Sequence, residues 1–425
     1  MSEEGNKYFK GGEPTWANAC VGENGNPSYT EYYKGYSKAA NVLLDAVISD
    51  KGVRLWLDDF IYPICFNFRH SIELRLKDIC QHYISEIFTI KNTPFSFDHT
   101  GSHDIGIIWE FVKQKAVIAE RNSERFIEEI DEFIIELSAI DATGQVFRYP
   151  FSKRNEKHLV RESIINVIDL KTQFNRVESV LDKFSNFMSE ALDNYRLGYF
   201  SGDLSRNDLI DIANHLPDRN TWREPLFKQV RESLKSKYAL SNRAFSKAIA
   251  VIENTHDLAK MIGLELPLYG CDKDTVRLAF LMSGFYLRRS SINELVVVNG
   301  AINPCDGNNA EKIKNRIMAS LKRRTILERK FRDRFDSVSI SGLLALFYSN
   351  QGNSKDYQRE YERRARYEAN FEDLMHVVEK LNFPFEVVKN LYSLGYVELA
   401  DELKLKFISN PDFLKDLEEY KSRLC

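Results

Sequence analysis

Helix breakers are scarce in this chain, with 11 prolines and 20 glycines among 425 residues. That scarcity argues against a turn-rich β architecture and favours long helices. Cysteine is sparse too. The six cysteines, at positions 20, 65, 80, 271, 305 and 425, form no CxxC pair, and none has metal-ligand spacing to a histidine. This excludes a recognisable zinc motif and a disulfide framework, and points to a reducing compartment. Cys65 and Cys80 fall in apolar stretches and read as buried free thiols. Excess charge is absent, because the net charge is −3, so the whole chain is not a polycation built to coat nucleic acid. No apolar run approaches the roughly 20 residues needed to span a bilayer. The opening MSEEGNKYFKGGEP has neither a basic nor an apolar signal region, so the expected location is cytoplasmic, with no membrane partner. There is no Gly-rich phosphate loop, GxSxG elbow or HExxH pair, and no cofactor or metal is implied.

Apolar residues make up 43% and charged residues 28%, enough for a large core and a solvated surface. The length suggests two or three domains. The pattern predicts an all-α protein: a loose arm over 1–28, a helical bundle over 29–200, and a C-terminal helical domain over 205–425, with helical hairpins toward its end. The first helix is expected from Tyr29 to Ser49, with Tyr32, Tyr36, Ala39, Ala40, Leu43 and Val47 on its apolar stripe. A second is expected from Leu55 to Ile90, kinked or broken near Pro63. A third follows the 93–104 loop with Ser102 as its cap, a fourth spans Ser123–Ile140, and a fifth spans His158–Tyr195, with Val160, Ile164, Val167, Ile168, Phe174, Val177, Leu181, Phe184 and Met188 on its apolar face. In the C-terminal half, breaks are expected near Pro217, Pro225, Pro267, Pro304, Pro384 and Pro411, with a surface loop over Asn299–Asn309.

The string DDFIYPICFNFRHSIELRLKDIC, residues 58–80, is the most informative. Ile61, Ile64, Phe68, Ile72, Leu76 and Ile79 step by three or four and form a core stripe. Arg69, Glu73 and Lys77 step by four along its edge, with His70 one position around, all within an arc of roughly 100°. Two readings stand. One is an i,i+4 ion ladder worth about 0.2–0.5 kcal/mol per pair. The other is a site, completed by polar residues of the 141–158 segment: Arg148, Lys153, Arg154, Asn155 and His158. Arg and His together suit phosphodiester chemistry, since guanidinium neutralises phosphate and imidazole moves a proton near neutral pH. Asp98, His99, His103 and Asp104 are metal-capable at close spacing, and a loop with N-caps accounts for them equally.

The succession of YxxGYxxAA (Tyr32 to Ala40), YPxxFxxRHxIELxLK (Tyr62 to Lys77), HDI (His103 to Ile105) and IDxxGxxFRYP (Ile140 to Pro150) resembles HEPN-type helical domains over residues 29–197. Many of these belong to prokaryotic toxin and antiviral-defence systems. The resemblance implies a metal-independent RNA-cleaving site made of an Arg and a His four to six residues apart, usually completed across a dimer. It therefore implies a homo-oligomer, an RNA substrate and a partner protein of a defence system. The chain departs from that spacing: three residues separate Arg154 from His158, and none separates Arg69 from His70. Either the site is assembled differently, with Arg69, His70, Glu73, Arg148 and His158 as its catalytic candidates, or the domain is a non-catalytic scaffold or sensor.

A second candidate surface is the segment Lys312–Arg334. It holds ten basic residues opposed only by Glu328 and Asp333. Lys322, Arg323, Arg324, Arg329, Lys330 and Arg332 are the expected phosphate contacts. Tyr357, Tyr361 and Tyr367, interleaved with arginines, would extend that surface by stacking.

Overall fold

A computed structural model describes residues 8–152, 154–289, 307–349 and 354–405. The protein is all-α. Among the described residues there is no strand, only two isolated bridges, Phe151 with Lys157 and Ser201 with Leu204. The chain divides into two compact units, Met1–Arg196 and Leu197–Cys425, close to the expected boundary at 200–205.

The first unit is built from α1 (Tyr29–Asp50), α2 (Leu57–Asp78), α3 (Ser85–Ile90), α4 (Ile105–Ala119), α5 (Glu124–Asp141) and α6 (Val167–Arg196). Ser28 starts α1 with a capping box: Thr30 N–H donates to its hydroxyl at 3.1 Å and its own N–H donates to Glu31 at 2.7 Å. The buried stripe of α1 is Tyr33, Ala40, Leu44 and Val47. The expected stripe was therefore rotated by about one position at its start, and Tyr32 lies outside the core. Helix α2 continues through Pro63 without a break. The irregularity falls later, as a π-helical segment over Ile79–Ile84 that leads into α3. Ile64, Phe68, Ile72, Leu76 and Ile79 are buried as expected, with Phe68 packed on Phe174 and Phe133.

Two helix starts differ from the expectation. Asp104, not Ser102, caps α4, accepting from Gly106 N at 2.9 Å and Ile107 N at 3.1 Å. Helix α6 starts at Val167, not His158, because Asn166 accepts from the N–H groups of Ile168 and Asp169 and thereby caps it. Leu159 has φ of 53°, outside the helical region, and Val160 and Ile164, placed by the pattern on the apolar face, are exposed. Cys65 and Cys80 are free and buried, and burial pushes both thiols up to about 12.

The second unit has two cores. One gathers Tyr199, Leu209, Ile212, Phe245, Ile252 and Ile262, among others. The other is centred on the helix Ser337–Tyr348, six of whose apolar side chains from Ile340 to Phe347 and their neighbours pack against Phe371–Val378 and Phe383–Ser393. Pro225 and Pro384 sit in the first turn of their helices, where a missing N–H costs nothing, so they start helices rather than break them. The helix Gly307–Phe331 takes in the last residues of the loop expected over Asn299–Asn309; the rest of that loop, Pro304 and Pro411 lie outside the described residues.

Candidate functional site

From Ser71 to Asp78 every residue of α2 is buried, so its charged side chains must be satisfied inside the protein. Arg69, Glu73 and Lys77 are 1%, 2% and 3% exposed. The expected surface ladder is therefore an internal cluster. The Arg69 guanidinium donates to the carbonyls of Asp141 (3.1 Å), Ala142 (2.6 Å) and His103 (2.6 Å), and pairs with Glu73. Asp141 and Ala142 end α5, where carbonyls lack intrahelical partners. Arg69 thus caps α5 and holds the 93–104 loop at the same time. Gly144 makes room for it: with φ of 74°, a Cβ there would stand 3.1 Å from Arg69 Nη1. All of these donors point into the protein, so Arg69, a sequence candidate for contacting phosphate, serves instead as a structural clamp.

Glu73 is the centre of the cluster. Its Oε1 accepts from Lys77 Nζ and His103 Nδ1, each at 3.0 Å, and its Oε2 faces Arg69 and, at 3.6 Å, His70 Nδ1. Burial acts to raise its pKa, but His70, the Arg69 charge and Lys77 outweigh that and hold the carboxyl well below its usual range. It is an anion that orients two imidazoles. With each Nδ1 turned to the carboxylate, each Nε2 lies on the far side of its ring.

These rings border a cleft of about 1250 Å³. His70, His103, His158 and Arg148 line it, and Arg69 and Glu73 form part of its wall. His70 is held between Phe66, stacked at 5.6 Å, and Tyr36, edge-on at 4.6 Å. The Arg148 guanidinium lies over the other ring in that stack, 5.3 Å from the Phe66 centroid, and equally close to Tyr149. His158 Nε2 is buried without a hydrogen-bond partner among the described residues.

The structure therefore brings together all five sequence candidates, Arg69, His70, Glu73, Arg148 and His158, with two of them, Arg69 and Glu73, in supporting positions. Sequence reasoning missed the pairing of His103 with Glu73 and the aromatic clasp of Tyr36 and Phe66. The HDI string was the only signal for the former. Lys153 lies outside the described residues, and Arg154 and Asn155 do not line the cleft. The metal-capable quartet is dispersed: Asp98 accepts from Thr100 and Gly101 N–H, Asp104 caps α4, His99 sits edge-on to Phe97 at 4.7 Å, and His103 reaches Glu73. Among the described residues no three His, Cys, Asp or Glu side chains are placed so that they could hold one metal ion.

In the second unit the basic segment forms the end of the helix Gly307–Phe331 and the turn Arg332–Arg334. It is less unopposed than its sequence suggests. Glu372, from another helix, pairs with Arg324 and with Arg332 at 3.3 Å, and Glu328 also pairs with Arg324. Lys322, Arg329 and Lys330 remain exposed, and Arg323 is half-buried. Tyr357 is buried in the core and donates to the Tyr269 carbonyl at 3.1 Å, so it offers no stacking face, whereas Tyr367 is exposed. No helix of the described residues is long and apolar enough to cross a membrane. Compared with protein-family models, curated proteins and solved structures, the chain matches none.

Proposed function

We propose that the His70–Arg148 cleft cleaves RNA without a metal ion. The observation that carries this reading is the convergence of three histidines and an arginine on one cleft, two of the histidines oriented by the buried Glu73 carboxylate. In the proposed reaction His70 Nε2 takes the proton of a ribose 2′-OH as that oxygen attacks the adjacent phosphorus in line. The bond from phosphorus to the 5′-oxygen breaks, and His103 Nε2 returns a proton to that oxygen. Arg148 neutralises the phosphate, and His158 offers a further donor. The products are a 2′,3′-cyclic phosphate and a 5′-hydroxyl. Proton transfer by a positioned side chain contributes roughly 10²–10⁴ in rate.

The resemblance to HEPN-type domains extends the reading to an effector of a prokaryotic defence or toxin system, acting as a homo-oligomer and with a partner protein. The exposed Lys322, Arg329 and Lys330 then serve as a second phosphate-contacting surface. One observation favours the other reading, a non-catalytic scaffold or sensor: Arg69 is taken up by Glu73 and three backbone carbonyls and Lys77 by Glu73, which among the described residues leaves Arg148 as the cleft-lining arginine able to reach a ligand. Incubation of the purified chain with labelled RNA in EDTA separates the two. Cleavage that ends in a cyclic phosphate and is lost in His70→Ala and in His103→Ala supports the first. RNA left intact under conditions where the chain is folded and oligomeric supports the second.

A further inference from the structure

We infer that the groove between α1 and α2 is a stacking subsite for unpaired bases, so that the substrate is single-stranded RNA. The inference rests on the RNA-cleaving reading of the cleft and names what that cleft admits. Tyr29, Tyr32 and Tyr36 follow at i, i+3 and i+7 and share one face of α1. Tyr33 alone turns to the core, beneath the Arg75 guanidinium at 4.7 Å. The three others border a second cavity of about 470 Å³, which meets the larger cleft at Tyr36 and His70. That size falls within the roughly 300–1,000 Å³ of small-ligand pockets.

Two features select the occupant. Tyr32 is 55% exposed between the half-buried Tyr29 and Tyr36, so its ring offers a π surface to solvent beside the proposed reaction centre. Among the described residues no carboxylate lines the smaller cavity itself, although Ser28 and His82 of its lining bond to Glu31 and Asp78; its polar lining is hydroxyl, amide and imidazole, and Arg148 lines the larger cleft over the Phe66 ring that stacks on His70. A cavity lined by tyrosine rings and by no carboxylate suits a polyanion whose bases can be splayed onto aromatic faces. In an A-form duplex the bases are stacked on one another and are not available to such rings. An acidic or apolar peptide is the competing occupant, and the test below treats its success as a refutation.

The experiment measures binding of the full chain by fluorescence anisotropy, with an end-labelled 2′-O-methyl RNA octamer that cannot be cleaved through its 2′-oxygen. The octamer is tested as a single strand, as a duplex, and with an abasic residue scanned through it. Tyr32→Ala is expected to weaken the single strand about 5–150-fold, the range that one lost stack accounts for. Tyr32→Phe should bind like the wild type, which also shows that the site tolerates substitution. An abasic residue at the sensitive position should weaken the wild type but not Tyr32→Ala, and the duplex should bind less tightly than the strand. The inference is overturned by a duplex that binds as well as the strand, by Tyr29→Ala and Tyr32→Ala that both stay within twofold of wild type, or by RNA that does not bind while peptides do. RNA cleavage with tyrosine-independent binding would sink the subsite and spare the catalytic reading. Tyrosine-dependent binding without cleavage of unmodified RNA would do the reverse.

Discussion

His103 Nδ1 lies 3.0 Å from Glu73 Oε1, across 30 residues of chain, and so ties the 93–104 loop to the middle of α2. The same carboxylate receives Lys77, Arg69 and His70. A single buried anion therefore fixes two imidazoles, a helix and a loop. It is stable there because the cations around it offset the cost of taking charge out of water.

Glu73→Gln keeps the side-chain shape but leaves Arg69 and Lys77 buried without a counter-charge. Breaking such a cluster from one side costs about 3–5 kcal/mol. The urea midpoint of the first unit should fall accordingly at pH 7. The folded carboxyl titrates below its unfolded value, so its stabilisation is complete above about pH 4.3 and is lost as the pH falls below it. The gap between variant and wild type should narrow in acid. Equal midpoints at pH 7 would remove Glu73 as the organising group.

Gly144→Ala places a Cβ 3.1 Å from Arg69 Nη1 on a residue with φ of 74°. A left-handed conformation alone costs a residue with a side chain about 1–2 kcal/mol. Chemical denaturation should show at least that loss. A neutral substitution would mean that Arg69 can withdraw from the α5 carbonyls without penalty.

In the second unit, His256 Nε2 donates to the Pro267 carbonyl at 2.9 Å and its Nδ1 accepts from the Ser354 hydroxyl at 3.0 Å. Burial lowers its pKa, and only partly do the Pro267 carbonyl and the Asp257 charge offset that. The unfolded chain therefore binds a proton that the folded chain refuses, and stability should decline as pH falls below about 6.5. Amide hydrogen exchange in this unit should accelerate between pH 7 and pH 5, after correction for intrinsic rates. His256→Gln should flatten that dependence; an unchanged slope would contradict it.

Charge reversal at Lys322 and Arg329 should weaken RNA binding across sequences. It should also reduce the slope of log affinity against log salt by about 1 for each phosphate contact removed. Arg324 is a poorer choice, because reversal there also breaks its pairs with Glu372 and Glu328. Binding that keeps its salt slope would take this surface out of the proposal.

The all-α class was legible in the sequence because it follows from low Pro and Gly content and from helical periodicity. The core stripe of α2 was legible for the same reason. Periodicity placed Tyr32 and Val160 wrongly, since an apolar side chain at helical spacing carries no record of whether a neighbouring helix covers it. The α6 start was missed because Asn166 is an unremarkable letter until its carboxamide is seen to accept from Ile168 and Asp169. Arg69, His70 and Glu73 were found as a cluster, but their roles were not. Which of them faces the cleft depends on the α5 carbonyls and on Gly144, which are brought in from 70 residues away.

The most direct test compares wild type, His70→Ala and His103→Ala on a fluorescent single-stranded RNA at neutral pH in EDTA, with hydrogen-exchange profiles confirming that each is folded. The account predicts cleavage by the wild type to a 2′,3′-cyclic phosphate, and a loss of roughly 10²–10⁴ in rate for each variant. Cleavage that persists at wild-type rate in both folded variants, or a wild type that cuts only when a divalent metal is restored, would contradict it.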